Sequence, residues 1–341
     1  MSQNLKQKNN NTQEKTIKIG NVKINSCCAL APMAGITDVV LRGLIRRFSK
    51  NCLLTTEMIS SESLMQNIDH SKILAYRENE QPLAYQISGH KPQMMAKAAK
   101  MLEQKGGADI IDINMGCPVK KVVCGGDGSA LMRTPQLASD IVKAVKDAVN
   151  LPVTVKFRLG YTAETKNFLE FAKLMEESGA DAMTIHCRTR SQMYSGAANW
   201  SEISEVKKEI NVPLFVNGDI IDPISAKKAL EESNADGVAI ARGVLGQPEL
   251  IHRIEHYFKT GEILPEPSIY QKIEMMKDHL DDEVRLRGEK VAIQFVRKFY
   301  PYYIKGIKGA SQYRGRLVTE NGYVNIITLL NTIQELASAD V

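Results

Sequence analysis

Eight short apolar runs, separated by longer amphipathic segments, dominate residues 26–240 of this 341-residue chain. Short apolar runs are typical of strands buried on both faces of a parallel sheet, and apolar residues spaced three and four apart indicate helices. Eight alternating strand–helix units predict an α/β fold, a (β/α)8 TIM barrel. The predicted strands are residues 28–31, 53–56, 83–87, 110–114, 153–157, 182–186, 214–217 and 237–240. The clearest predicted helices are residues 38–48, 92–104, 135–149, 164–177 and 223–232.

A doubly wound open sheet is the alternative fold, but no G-x-G-x-x-G motif follows the first predicted strand. We expect the catalytic barrel to occupy residues 17–262 and a linker to lie at Pro265 and Pro267. The remaining residues, 268–341, predict a smaller all-helical domain. Residues 1–16 are rich in Asn, Gln and Lys, a composition that predicts a disordered tail.

The cysteine content excludes a disulfide scaffold, because six cysteines are too few for a chain of this length. No C-x-x-C pair occurs, so the sequence predicts no metal site. No apolar run approaches the length that spans a membrane, and the N-terminal segment lacks the apolar centre of a signal peptide. We therefore expect a cytoplasmic protein with reduced thiols.

Polar or unusual residues follow nearly every predicted strand, at the end where α/β barrels carry their active sites. A single residue of this kind could serve only to cap its strand, but a nearly complete ring predicts a functional site. The ring contains Pro32, Met33, Ala34, Glu57, Gln86, Asn114, Cys117, Lys156, Arg158, His186, Arg188, Asn217, Gly218, Asp219, Ala241 and Arg242.

Cys117 is the most distinctive residue of this ring. It stands in a Gly-Cys-Pro turn just past the fourth strand, and a glycine-rich loop follows from Gly125 to Gly128. We expect this loop to be flexible and to close over a ligand. The alternative is that Cys117 is a small buried hydrophobic residue.

The predicted helical domain carries a basic segment between residues 285 and 316, with nine basic residues and one acidic residue, Glu289. Its interleaved aromatic residues are Phe295, Phe299, Tyr300, Tyr302, Tyr303 and Tyr313. This combination suits a nucleic-acid backbone with unstacked bases. The alternative is a solvated basic helical face whose aromatic side chains form a small core.

Several motifs occur together in one order along the barrel. They are Ala-Pro-Met-Ala-Gly-Ile-Thr-Asp at residues 31–38, Asp-Ile-Asn-Met-Gly-Cys-Pro at 112–118, Gly-Ser-Ala-Leu at 128–131, Val-Lys at 155–156, Thr-Ile-His-Cys-Arg-Thr-Arg at 184–190, Val-Asn-Gly-Asp-Ile at 216–220 and Ala-Arg at 241–242. In these motifs the chain resembles the bacterial tRNA-dihydrouridine synthases, most closely their B-type branch. The resemblance implies FMN as cofactor, NADPH as reductant, and reduction of a D-loop uridine of tRNA to 5,6-dihydrouridine. It suggests uridine 17 as the target.

The resemblance also implies roles for individual residues. Cys117 would donate the proton to C5 of the uracil. The residues expected to bind the cofactor are Pro32, Met33, Ala34, Gln86, Lys156, His186, Asn217, Gly218, Asp219, Ala241 and Arg242. Those expected to bind tRNA are Asn114, Lys120, Arg188, Arg190, Arg285, Arg287, Lys290, Arg297 and Lys298. Two positions depart from the family pattern, which has Gly at position 241 and often at position 187, where this chain has Ala241 and Cys187.

Two other classes of function stay open on the sequence. A flavin barrel acting on small molecules would share the cofactor site but would not need the basic helical domain. A non-catalytic tRNA-binding protein would not need both Cys117 and Lys156. We expect the protein to be a monomer that binds tRNA and NADPH.

Overall fold

The computed structural model describes residues 16–66, 68–306 and 309–339, so the predicted disordered tail lies almost wholly outside the described residues. The described chain begins with an antiparallel hairpin of β1 (Ile17–Ile19) and β2 (Val22–Ile24). The side chains of Ile17, Ile19 and Ile24 are buried against residues at the starts of the barrel strands, including Ala84 and Phe215. The hairpin therefore closes the amino-terminal end of the barrel, and it was not predicted from the sequence.

Eight parallel strands form one sheet in the order β3-β10-β9-β8-β7-β6-β5-β4. The sheet closes because the Leu30 N–H donates to the Leu53 carbonyl at 2.7 Å and the Leu53 N–H donates to the Cys28 carbonyl at 3.2 Å. The predicted barrel is thereby confirmed. The strands are β3 (Cys28–Leu30), β4 (Leu54–Ser60), β5 (Leu83–Ser88), β6 (Ile110–Met115), β7 (Val153–Arg158), β8 (Ala182–His186), β9 (Leu214–Asn217) and β10 (Gly237–Ile240).

Nine α-helices accompany the described barrel strands. Five of them correspond to the predicted helices; four of these five agree closely, but the one predicted from residue 164 begins at Phe168. The nine are α1 (Val39–Phe48), α2 (Ser61–Leu64), α3 (Pro92–Lys105), α4 (Lys120–Cys124), α5 (Pro135–Ala148), α6 (Phe168–Glu177), α7 (Val206–Glu209), α8 (Pro223–Ser233) and α9 (Leu250–Thr260). The segment after Cys117, predicted as a flexible loop, contains α4 and a 3₁₀ helix at Gly128–Arg133.

The C-terminal region is helical and has a hydrophobic core of its own. Phe299, Tyr300 and Tyr303 are buried in this core, whereas Tyr302 is 44% exposed. For the three buried rings the alternative interpretation, aromatic residues in a small core, is correct. The helices are α10 (Ile269–Arg287), α11 (Glu289–Val296), α12 (Tyr300–Tyr303), α13 (Ala310–Thr319) and α14 (Tyr323–Ala339).

The helical region docks on the barrel beside the loop between β3 and α1. Arg287 contacts Asp38 at 2.5 Å, and the Lys298 ammonium donates to the Gly35 carbonyl. Met33 and Ile36 of the same loop pack against the core of the helical region. The helices therefore hold a loop that lies at the carboxyl end of the first barrel strand.

Candidate functional site

The turn that carries Cys117 is held by hydrogen bonds on both sides. The Asn114 Oδ1 atom accepts from the backbone N–H groups of Gly116 at 3.2 Å and Cys117 at 2.9 Å. The Cys117 carbonyl accepts from the Ser129 N–H at 3.1 Å and from its hydroxyl at 2.9 Å. Gly128 has a φ of +60°, and a Cβ there would lie 2.8 Å from the Cys117 carbonyl oxygen. Only glycine fits this close approach, so the backbone under the thiol is tightly placed.

The surroundings of the Cys117 thiol keep it protonated. Burial raises the pKa of the Cys117 thiol, while the Val119 N–H and the cations Arg158 and Lys156 act in the opposite direction without reversing the shift. A neutral thiol is the form that can donate a proton, and an acid must hold its proton before it acts. The site therefore suits acid catalysis better than nucleophilic attack, which needs a thiolate.

Arg158 connects the Cys117 turn to the loop that follows β8. Its Nε donates to the Gly116 carbonyl at 2.8 Å, and its Nη1 donates to the carbonyls of Thr189 at 3.0 Å and Met193 at 2.9 Å. The side chain is buried. From the sequence, Arg158 was predicted only as one of the polar residues at the strand ends. Alternation along the strand places it on the same face as Lys156, and this signal could have marked it as part of the site.

Lys156 places a half-buried cation near the carboxyl end of β7, at the mouth of the barrel. Its Nζ donates to the Asn217 Oδ1 at 3.0 Å, and the Asn217 amide in turn donates to the Ala239 carbonyl at 2.7 Å. Burial, and then repulsion from Arg158, lowers the pKa of Lys156 to about 8. The side chain is therefore mostly charged at pH 7. Because an ammonium has three N–H donors, this arrangement leaves donors for an anionic or carbonyl ligand.

A hydrogen-bonded group of polar side chains fills the barrel beneath the mouth. The Gln86 Nε2 donates to the Asp112 Oδ2 at 2.6 Å, and the Thr154 hydroxyl donates to the Asp112 Oδ1 at 2.6 Å. The Asn114 Nδ2 donates to the Gln86 Oε1 at 2.8 Å. Burial raises the pKa of Asp112 to about 6, although the hydrogen bonds from Thr154 and Gln86 and the charge of Lys156 oppose that rise. Gln86 and Asn114 were predicted as site residues from the sequence, whereas Asp112 and Thr154 were not.

The ends of β9 and β10 form the cationic side of the mouth. Gly218 has a φ of +122°, and a Cβ there would lie 2.8 Å from the Cβ of Ala198. The Arg242 guanidinium is 51% exposed and lies 3.7 Å from the Asp219 carboxylate. Ala241, which departs from the family pattern, has a φ of −108° and a ψ of −108°. These positions leave an exposed guanidinium beside a glycine turn, an arrangement that suits a phosphate.

His186 and Arg188 lie behind this cationic side. Burial, followed by the charges of Arg158 and Lys156, lowers the pKa of His186 well below its usual value, so the imidazole is neutral at pH 7. Arg188 is buried and contacts the Asp219 carboxylate at 2.5 Å and the Gly196 carbonyl at 2.6 Å. Burial raises the pKa of Asp219, but the hydrogen bonds from Arg188 and from the Ala198 N–H outweigh it, so the pKa is lowered.

The other residues predicted to bind tRNA fall into two groups. Lys120, Arg285 and Lys290 are exposed, as a surface contact with tRNA requires, and of the five N–H donors of Arg285 one is used by Asp282 at 2.8 Å. In the second group, guanidinium N–H groups already donate hydrogen bonds to other groups of the protein. Arg188 is in this second group, as are Arg287 at the docking contact and Arg297, whose Nη2 donates to the Glu320 carbonyl and to Asn321. Their positions lend no support to a direct contact with tRNA, which stays a prediction.

The remaining predicted residues lie around the mouth. Pro32 and Met33 are half-buried and Ala34 is exposed, all three within the loop that the helical region holds. Lys298 is exposed although its ammonium reaches the Gly35 carbonyl. Arg190 is half-buried, and its guanidinium lies 5.1 Å from the centre of the Tyr161 ring.

None of the helices in the described part of the chain is both long and apolar enough to cross a membrane. Across those same residues, we find no cluster of three or more His, Cys, Asp or Glu side chains arranged to hold a metal ion.

Comparison with known proteins identifies the family. The dihydrouridine synthase family model matches residues 29–336, a span that includes the barrel strands and most of the helical region. The chain belongs to the dihydrouridine synthase family. The resemblance found in the sequence motifs is thus confirmed, and the chain is a member of an enzyme family.

Relatives with curated names cover almost the whole of this family member. The probable tRNA-dihydrouridine synthase of Rickettsia conorii is 43% identical over 303 residues, which are 88% of this chain and 90% of the relative. The tRNA-dihydrouridine synthase B of Pseudomonas putida is 38% identical over 301 residues, 88% of this chain and 89% of the relative. The second of these agrees with the predicted B-type similarity.

Solved structures share the fold at low sequence identity. The old yellow enzyme homologue from Zymomonas mobilis has a TM-score of 0.52 and 14% identity, over 74% of this chain and 93% of that chain. A 2-naphthoyl-CoA reductase in complex with 2-naphthoyl-CoA has a TM-score of 0.56 and 15% identity, over 71% of this chain and 51% of that chain. These likenesses support the barrel architecture of the synthase-family chain.

Proposed function

We propose that this protein is an FMN-dependent tRNA-dihydrouridine synthase. It uses NADPH as reductant and converts a D-loop uridine of tRNA to 5,6-dihydrouridine. The observation that carries the proposal is the hydrogen-bonded turn that holds the Cys117 thiol within electrostatic reach of the half-buried cation Lys156. Burial raises the pKa of this thiol, and an acid beside a cation suits the reduction of an electron-poor double bond.

The residues around the mouth fit a phosphate-bearing flavin. Lys156 has unused N–H donors for the polar edge of a ring, and Met33 is half-buried beside the same mouth. Arg242 is exposed next to the Gly218 turn, where a phosphate would find both a cation and backbone N–H groups. FMN, when bound, supplies the hydride that no amino-acid side chain can supply.

The side chains of the protein supply the proton and the electrostatics. Cys117 holds the proton that goes to C5 of the uracil, and its raised pKa keeps that proton in place until transfer. Lys156 holds a positive charge where negative charge develops on the ring system, in a half-buried setting that strengthens the interaction. His186 is neutral, so it can form hydrogen bonds but adds no second positive charge beside that of Lys156.

Exposed cations of the helical region and of α4 supply the tRNA contact. Arg285 and Lys290 are exposed near the end of α10 and the start of α11, and Lys120 is exposed at the start of α4 just after Cys117. Cations in these places attract phosphates of the RNA backbone. The uracil must leave its stack to reach the barrel mouth, as bases do in other enzymes that modify them.

The test is dihydrouridine formation by the purified protein with NADPH and unmodified tRNA, followed by digestion and mass spectrometry. We expect one uridine to gain the mass of two hydrogen atoms. Cys117→Ala should lose most of this activity, whereas the matched control Cys124→Ala, which changes an exposed cysteine on α4, should retain it. No gain with wild-type protein whose flavin is bound and reducible would refute the proposal and favour a small-molecule flavoenzyme.

A further inference from the structure

A continuous chain of hydrogen bonds runs from the backbone of Cys117 into the barrel. The Cys117 N–H donates to the Asn114 Oδ1 at 2.9 Å, and the Asn114 Nδ2 donates to the Gln86 Oε1 at 2.8 Å. The Gln86 Nε2 then donates to the Asp112 Oδ2 at 2.6 Å. We call the side chains of Asp112, Gln86 and Asn114 the relay. All three are buried, with exposed fractions of 6%, 0% and 8%.

The two ends of the relay determine which way each amide points. A carboxamide has a donor end and an acceptor end, and either can face a given neighbour. The backbone N–H of Cys117 can only donate, so it requires the oxygen of Asn114. The carboxylate of Asp112 can only accept, so it requires the nitrogen of Gln86. Both ends demand the same direction, and the three bonds therefore align donor to acceptor from the Cys117 turn to Asp112.

We propose that Asp112 is a positioning residue that orders the Cys117 turn through Gln86 and Asn114. Asp112 has no hydrogen bond to Cys117. It lies on β6 two residues before Asn114, so it acts through its neighbours. The inference rests on the proposed function, because Cys117 matters as the acid of that reaction.

Asp112 is itself held in place for this role. Its second carboxylate oxygen accepts from the Thr154 hydroxyl at 2.6 Å, and Thr154 is the residue opposite it on β7. Gln86 is the residue opposite it on β5. The three strands in register therefore bring donors to both oxygens, and a buried donor left without its acceptor would be unfavourable. Loss of the carboxylate would leave the Gln86 amide free to turn, and with it the Asn114 amide.

A second role for Asp112 must be separated from this one. The negative charge of Asp112 acts on Lys156, where it raises the pKa of the ammonium against the larger effect of burial. Asp112→Asn separates the two roles. Its oxygen can accept from Gln86 and its nitrogen can donate to Thr154, so the relay persists while the charge is lost. Asp112→Leu removes both the charge and the relay.

The control is another aspartate just before the same strand. The Asp109 carboxylate accepts from the Leu83 N–H at 2.9 Å, at the opposite end of the barrel from Cys117. Asp109→Leu thus removes a hydrogen-bonded carboxylate of equal size that has no connection to the relay. Circular dichroism would establish that each variant is folded.

Two measurements on the purified, flavin-containing protein test the proposal. The first is amide hydrogen exchange of the peptide that spans residues 114–118. The second is the kcat and KM of dihydrouridine formation. We expect Asp112→Leu to speed exchange at Gly116 and Cys117 and to lower kcat about tenfold, since a positioned acid contributes about 10²- to 10⁴-fold and would be displaced here rather than removed. KM for tRNA should change little.

Asp112→Asn should restore slow exchange and most of the wild-type kcat. Asp109→Leu should change neither the exchange rate of the Cys117 turn nor kcat. Unchanged exchange in Asp112→Leu would overturn the proposal. Equal defects in the Asn and Leu variants would also overturn it, because the charge and not the relay would then be responsible. If Asp112→Leu does not fold, Gln86→Met breaks the relay at its middle, and the exchange measurement applies to it unchanged.

The exchange measurement does not depend on turnover. Wild-type protein that forms no dihydrouridine would refute the proposed function, while the exchange rates of its variants would still support or overturn the relay.

Discussion

The docking contact between the barrel and the helical region should show strong coupling between Asp38 and Arg287. The two side chains meet at 2.5 Å, with 1% and 14% of each side chain exposed. Asp38 also accepts the N–H groups of Val40 and Leu41 and so caps α1. Asp38→Asn retains a good N-cap residue and removes the charge, so it isolates the ion pair.

The size of the coupling free energy between Asp38 and Arg287 depends on which partners Arg287 keeps when Asp38 is changed. A hydrogen bond between charged groups contributes about 1.5–3 kcal/mol. Arg287 keeps its contact with Glu283 at 2.6 Å when Asp38 is neutralised. Burial and the neighbouring Asp38 raise the pKa of Glu283 to about 8. Without the charge of Asp38, Glu283 ionises more readily and partly replaces the lost partner, so we expect a coupling of about 1–2 kcal/mol, at the lower end of that range.

The assay is a double-mutant cycle of Asp38→Asn, Arg287→Gln and the combined variant, measured by urea unfolding at pH 7. The combined variant should lose less stability than the two single variants together. A matching cycle on the exposed pair of Glu62 and Lys91 should be nearly additive, since solvent screens it. Additivity at Asp38 and Arg287 to within about 0.5 kcal/mol would refute the reasoning, because residues in contact are expected to couple.

Three further predictions concern pH and charge. The pKa of Lys156 is lowered to about 8, so FMN binding to the apoprotein should weaken as pH rises through that value, and a flavin-fluorescence titration of Lys156→Met should show no such change. The folded state keeps the Glu283 proton up to about pH 8, whereas the unfolded state releases it near 4.5, so stability should fall as pH rises across this window and Glu283→Gln should flatten the fall in thermal melts. The combined variant Arg285→Ala, Lys290→Ala should weaken tRNA binding and reduce its salt slope by about two, whereas exposed Lys227→Ala on α8 should not.

Most of the barrel could be predicted because its signals are local. A strand buried on both faces is a short apolar run, and an amphipathic helix repeats every three to four residues. The predicted strands at residues 182–186, 214–217 and 237–240 coincide with β8, β9 and β10. The hairpin of β1 and β2 was missed because each of its strands, Ile-Lys-Ile and Val-Lys-Ile, has a lysine at its centre and so forms no continuous apolar run.

The members of the site were less completely predicted than the fold. The sequence marked Cys117, Lys156 and Gln86 by residue type and by position at strand ends. It did not mark Asp112, because a single aspartate within the apolar run of residues 110–113 does not stand at a strand end. The place of Arg287 in a basic segment predicted tRNA contact, which stays a prediction, and the sequence did not indicate that the fold pairs this residue with Asp38.

The sequence by itself indicated the eight barrel strands, five of the barrel helices and the chemical groups that stand at the ends of the strands. Only the tertiary structure decided which of these groups are partners. Gln86 and Asp112, 26 residues apart, meet because β5 and β6 are in register, and Asp38 and Arg287, 249 residues apart, meet because the helical region docks on the barrel. Hydrogen bonds and ion pairs act over a few ångströms, so their partners are set by strand register and domain docking and not by local residue patterns.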